Sequence, residues 1–159
     1  MEKVIIPIYP DEYERNCNAH VKYRALARCY EDKKWYGYSG SRNSRKGTET
    51  GILKSAFGDF VLEFEVKCWI LCKFVNPDAA KVLNCVVDKK NSRIIISNQI
   101  DEDENTVLNG AFIKTLASGG DAMEGRRLYE KSILFIPQFT MFLCHNKSIK
   151  LNLLMQQKI

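Results

Sequence analysis

The order of three adjoining segments constrains this chain most. Between Trp35 and Gly40 lies a short aromatic stretch, WYGYSG, that reads as a strand entering a turn. The stretch Ser41 to Thr48 has no apolar residue and carries Arg42, Arg45 and Lys46, so it is a loop. Ile52, Leu53, Ala56 and Phe57 then recur at helical spacing up to Gly58, which suits a helix C-cap. Strand, polar loop and helix in that order form half of a βαβ unit. A second feature agrees: Arg93 to Ser97 (RIIIS) is too continuously apolar for a half-exposed strand and predicts a central strand covered on both faces. Together they predict an α/β domain with a mainly parallel sheet flanked by helices.

With 159 residues, 45% hydrophobic and 27% charged, the chain suits one compact domain rather than a disordered or fibrous construction. No apolar run approaches the roughly 18 residues that cross a bilayer, and the first residues lack a signal-peptide core, so no membrane partner is expected. The cysteines at 17, 29, 68, 72, 85 and 144 lie in apolar stretches without a CxxC pair, and His20 and His145 are the only histidines to help them. Reduced thiols in a cytoplasmic, intracellular setting follow. The net charge of +5 permits an anionic partner without identifying one.

Elsewhere, Tyr13, Cys17, Val21, Leu26 and Cys29 predict a helix over 11–30 with one buried stripe and Asp11 as N-cap. Residues 60–75 fit a strand or a helix, and a short helix is expected after Asn76 and Pro77. The acidic patch 101–104 suits the start of a helix carrying Val107, Leu108, Ala111, Phe112 and Leu116, which Ser118, Gly119 and Gly120 stop. Leu134 to Ile136 and Phe139 to Cys144 predict a strand pair around Pro137. Residues 1–34 are expected as a helical segment packed on a core formed by 35–159.

The loop after Gly40 half keeps the phosphate-binding pattern G-x-x-x-x-G-K-[ST], in which backbone amides cradle phosphate and lysine reaches the terminal phosphates. Gly40 and Lys46 have the right separation. Arg45 stands where the second glycine belongs and Gly47 where the hydroxyl belongs, with Thr48 one place late. The other reading of this loop is a solvated basic turn. Position after a strand and before a helix favours the phosphate loop.

KGTETGILKSAFGDF (Lys46 to Phe60), RIIISNQ, LNGAFIKTLASGGDAMEGRRLYE and FIPQFTMFLCHN follow one another in this chain. In that order they resemble the superfamily 3 helicase domain of the poxvirus-type primase–helicase family, over residues 40–146. The resemblance implies a P-loop NTPase core of the AAA+ kind and ATP-driven translocation on single-stranded DNA by a hexameric homo-oligomer, during viral or phage genome replication. It implies ATP and Mg2+ as cofactors, Lys46 on the β and γ phosphates, Gly40, Gly47 and Thr48 in the phosphate loop, and Thr48 with Asp101 or Glu102 on the metal. Asn146 would be the sensor of the terminal phosphate. Arg126 and Arg127, after the GGD turn, would contact DNA or a neighbouring subunit, as would Arg42 and Arg45. Three departures matter: Asn98 replaces the glutamate that ends the family's second motif, beside Arg45 and Gly47 in the loop. An amide cannot act as a base. Weak or absent hydrolysis is therefore expected, and the chain reads as a shortened copy lacking the primase region and most C-terminal helices. The alternative is a non-catalytic interaction module with the same fold.

Two further clusters have competing readings. Lys33, Lys34, Arg42, Arg45 and Lys46 beside Trp35, Tyr36 and Tyr38 would suit single-stranded nucleic acid, unless the aromatics are sheet core. Cys144 beside His145 has no evident base or oxyanion donor and reads as a buried thiol.

Overall fold

The computed structural model describes residues 2–40, 45–66, 86–98, 107–127, 129–146 and 151–152. Two helices, α1 (Glu2–Ile8) and α2 (Glu12–Leu26), precede strand β1 (Tyr36–Ser39) and helix α3 (Lys46–Phe57). Strands β2 (Val61–Phe64), β3 (Ile94–Ser97) and β4 (Leu108–Asn109) lead to helix α4 (Gly110–Leu116). Then come β5 (Met123–Gly125), β6 (Ile133–Phe135), β7 (Thr140–His145) and β8 (Leu151–Asn152). The order is that of the sequence expectation: strand, loop, helix.

The main sheet has the order β1-β7-β3-β2 and is parallel throughout. All four residues of β3 are buried, because this strand is interior and covered on both faces. One face is lined by Val61, Ile94, Ile96, Phe142 and Cys144 beneath Ala25 of α2 and Leu53 of α3. The other packs Phe64, Ile95, Met141 and Leu143 against Ile113 and Leu116 of α4. This is a P-loop-like α/β core.

Several expectations are corrected. Among the described strands β1 lies at the sheet edge, and β7 separates it from β3, so the strand before the loop is not a direct neighbour of the interior strand. β6 and β7 do not pair; β6 joins β5 in an antiparallel ribbon, while β7 enters the parallel sheet. The break at Pro137, which has no amide hydrogen to continue a ladder, separates the two runs. Helix α4 starts at Gly110 and is capped by Asn109, whose side chain accepts from the Phe112 amide, so the acidic patch does not open it. Residues 67–85 and 99–106 lie outside the described residues, and with them the helix expected after Pro77.

Asp11 caps α2 as expected, its carboxylate accepting from the Glu14 amide at 2.8 Å. The buried face is another matter. Tyr13 is 77% exposed and Cys17 is exposed, whereas Lys22 and Ala25 are buried. Lys22 is drawn inward by Glu49 of α3, which is itself buried and ion-paired with it. Tyr9 donates to Glu49 Oε2 at 2.8 Å, Asn18 to Oε1 at 2.8 Å, and the Tyr9 and Tyr38 hydroxyls are bonded at 2.7 Å. A carboxylate with this many donors is a tolerable buried charge. Burial lowers the Lys22 ammonium from its ordinary value, the Glu49 charge opposing it, and burial with Glu49 raises the Tyr9 phenol. The first two helices are thus tied to the helix that follows the loop.

Candidate phosphate-binding site

Lys46 opens α3, and its ammonium is gathered by three neutral oxygens. It donates to the Gly40 carbonyl at 2.7 Å, to Asn146 Oδ1 at 2.8 Å and to the His145 carbonyl at 3.4 Å. Among the described residues no carboxylate lies within ion-pair distance of it. A positive charge at a helix N-terminus, held at the carboxyl ends of parallel strands with no carboxylate in ion-pair distance among the described residues, suits an anion. Beside it opens a cavity of about 280 Å³ lined by Lys46, Gly47, Thr50, Glu63, Ile96, Ser97, Asn98 and Cys144. The volume accepts a phosphate chain with water, near the lower bound of about 300 Å³ for small-molecule sites.

The structure therefore brings together Gly40, Lys46, Gly47 and Asn146 from the sequence expectation. Thr48 is exposed and does not line the cavity, whereas the buried Thr50 does, its hydroxyl donating to the Lys46 carbonyl at 3.0 Å. Arg42, Asp101 and Glu102 lie outside the described residues. Arg45 is exposed, directly ahead of the helix. Arg126 and Arg127 lie away from this cavity, just after β5, and Arg127 donates to Asp88 at 2.6 Å, which raises its already high pKa.

Arg45 has φ 63° and ψ 18°, left-handed geometry that disfavours a side chain with Cβ and favours glycine. The backbone keeps the glycine conformation of the phosphate-loop pattern although the glycine is gone. Its side chain makes no capping hydrogen bond. Arg45→Gly is expected to stabilise the fold by about 1 kcal/mol, the left-handed penalty less the added freedom of the unfolded chain. Thermal unfolding checks this; a lowered Tm would mean that the arginine is held by contacts worth more than its strain.

Asn98 follows β3 and lines the cavity, but its side-chain oxygen accepts from the Val66 backbone amide at 3.0 Å while its backbone N–H donates to the Phe64 carbonyl at 3.0 Å. It closes the end of β2 onto β3, a structural task that an amide performs well. Cys144 is buried, with its thiol pushed up to about 11 chiefly by desolvation, so it is a packed thiol rather than a nucleophile. Trp35 packs against the core, Tyr36 stacks on Phe142 at 5.3 Å, and Tyr38 packs on the opposite cluster. These aromatics are sheet core and not a stacking surface for bases. Sequence reasoning missed Thr50, Glu63 and Ser97 at the cavity; an alternating strand pattern at Leu62, Phe64 and Val66 was the available sign that Glu63 faces away from them.

The fold and the lysine-centred cavity define a P-loop-like α/β domain. No family model matches the chain. Over 122 residues, 77% of its length, it is 30% identical to the Sputnik virophage protein "Putative helicase V13", of which it spans 15%. The A-form apo structure of the NrS-1 C-terminal region superposes with a TM-score of 0.62 at 12% identity, over 94% of this chain and 33% of that one. A second A-form apo structure of that region gives 0.58 at 14% identity, over 92% and 32%. The chain is thus a helicase-like domain, distantly related in sequence to a viral protein and spanning only part of each relative's length. No helix among the described residues is long and apolar enough to cross a membrane.

Proposed function

We propose that the chain is a nucleotide-binding domain of the superfamily 3 helicase type, acting with single-stranded DNA in genome replication and hydrolysing ATP weakly or not at all. The observation that carries this reading is the grip on Lys46. Gly40 and Asn146 lie 106 positions apart in sequence, and both hold one ammonium at a cavity mouth. A solvated basic turn has no need of that convergence. In this reading Lys46 meets the terminal phosphates of ATP, Gly47 lets the chain approach them closely, and Asn146 exchanges its bond to Lys46 for one to the terminal phosphate. Magnesium, when bound, would neutralise phosphate charge; the hard oxygen donors at the cavity, Thr50, Ser97 and Glu63, suit it. The three departures at Arg45, Gly47 and Asn98 favour binding over turnover. Assembly into a hexameric ring belongs to the same reading.

Calorimetric titration with a non-hydrolysable ATP analogue and magnesium tests it. Binding is expected for the wild type and at least about tenfold weaker binding for Lys46→Met, which removes the only cation at the phosphates among the described residues. No heat for wild type, with a folded protein, would sink the reading.

For DNA, the ribbon β5–β6 is the better surface. Arg126 is exposed there, and Tyr129 is 97% exposed at φ 64°, a solvated aromatic in a run that also holds Arg127, Glu130 and Lys131. Bases stack on such rings and phosphates pair with the arginines. Single-stranded DNA binding is expected at low salt, fading towards physiological ionic strength as counterion release loses its drive. Changing Arg126 and Tyr129 to Ala should weaken it more than changing Arg127, which Asp88 already engages. Fluorescence anisotropy across a salt series checks this; binding indifferent to salt would favour the non-catalytic interaction module.

A further inference from the structure

Glu63 is an acidic residue on an otherwise apolar sheet face. Its register partner on β3 is Ile96, and Val61, two residues earlier on β2, is fully buried on that face with Ile94, Phe142 and Cys144. An acidic side chain is expensive there unless it reaches water or a cation. Glu63 does so at the carboxyl end of β2, where it lines the same cavity as Lys46 and Thr50. It also pairs with Lys54 of α3 at 3.4 Å, an exposed pair that holds the carboxylate weakly.

We propose that Glu63 is the carboxylate that faces a divalent cation bound with nucleotide phosphates in this cavity, taking over from β2 the role that Asn98 cannot perform from β3. The inference rests on the reading of the cavity as a nucleotide site. The Asn98 side chain is neutral, and its oxygen, together with the residue's backbone N–H, closes β2 onto β3. Glu63 sits one strand away on the same rim. Ser97 Oγ accepts from the Cys144 amide at 2.7 Å, and with the Thr50 hydroxyl it leaves the cavity lined by oxygen donors around one full negative charge. Among the described residues no group of three His, Cys, Asp or Glu side chains is able to hold a metal alone. A magnesium ion here therefore has to complete its shell with phosphate oxygens and water, which is its usual habit with nucleotides. Two consequences follow. The protein should bind no magnesium without nucleotide, and Glu63 should repel a bare triphosphate that lacks its cation.

The test is calorimetric titration of the full chain with a non-hydrolysable ATP analogue, in magnesium and in EDTA. For wild type, magnesium should tighten binding by about tenfold or more. Glu63→Gln should bind the analogue in EDTA at least as tightly as wild type, yet gain less than about twofold from magnesium, because charge repulsion and cation ligation vanish together. Lys54→Met, which removes the ion pair and keeps the carboxylate, should retain the wild-type response to magnesium. Broadening of the Mn2+ electron-paramagnetic spectrum in the ternary complex should likewise be present in wild type and Lys54→Met and absent in Glu63→Gln. A Glu63→Gln protein that keeps the wild-type response overturns the inference and leaves the nucleotide reading intact. Loss of the response in Lys54→Met as well as in Glu63→Gln would make the ion pair structural and also overturn it. A wild type that binds no nucleotide in either buffer overturns both.

Discussion

Replacing Glu49 by alanine will lower the stability of the fold by about 3–5 kcal/mol, because it strands the Lys22 ammonium in a buried site. Lys22 and Glu49 have side chains 8% and 4% exposed, so neither charge has water to fall back on. The loss also unmakes the bonds from Tyr9 and Asn18, and leaves the rings of Tyr9 and Tyr38, 5.9 and 5.2 Å from the ammonium, beside it in place of a counter-charge. The expected fall in Tm is about 10 °C for a chain of this size. Lys22→Met combined with Glu49→Leu should recover most of it, since apolar replacement of both partners removes the desolvation cost along with the attraction. Chemical denaturation of wild type, the single variant and the double variant checks the pair. A single-variant loss below about 1 kcal/mol would mean that α1 and α2 do not dock on α3 as described.

The second large effect is on hydrolysis. Wild-type turnover should lie well below about one per second, the lower end of working enzymes, since Asn98 stands at the end of β3 where the family's glutamate would be, and an amide cannot activate water. Asn98→Glu with Arg45→Gly and Gly47→Ser should raise phosphate release by about a hundredfold or more if the site otherwise works as a phosphoryl-transfer site. Each change is accommodated. Arg45 already has a glycine backbone geometry, Gly47 has open space where a side chain would begin, and Asn98 already reaches the cavity. A glutamate at 98 still offers an oxygen to the Val66 amide. Steady-state phosphate release measures both rates; wild-type turnover of one per second or faster, or a triple variant no faster than wild type, would show that the departures are not what limits the chemistry.

Several parts of this protein were legible in sequence because their causes are local. The strand–loop–helix order around Lys46 follows from an aromatic run, a stretch without apolar side chains and a helical period, each confined to a few neighbours. The interior strand β3 was legible because three consecutive β-branched residues satisfy no half-exposed position. Asp11 caps α2 through a bond three residues away. The face that α2 buries was not legible, since a lysine enters the core only if a distant acid meets it, and Glu49 is 27 positions on. The same holds for Glu63, whose position beside the lysine cavity is set by the register of β2 on β3, and for Asn98, whose amide closes those two strands.

By itself the sequence determined the strand before Gly40, the helix after Arg45 and the interior strand β3, and which residue would offer its charge at the loop, because periodicity and backbone preference act within a few bonds. Only the tertiary structure decided that β7 lies between β1 and β3, so that Asn146 at its end meets Lys46, and that Glu63 lines the lysine cavity. Those outcomes depend on which strands pair. Pairing is settled by packing both faces of the sheet at once, a condition that no single stretch of sequence contains.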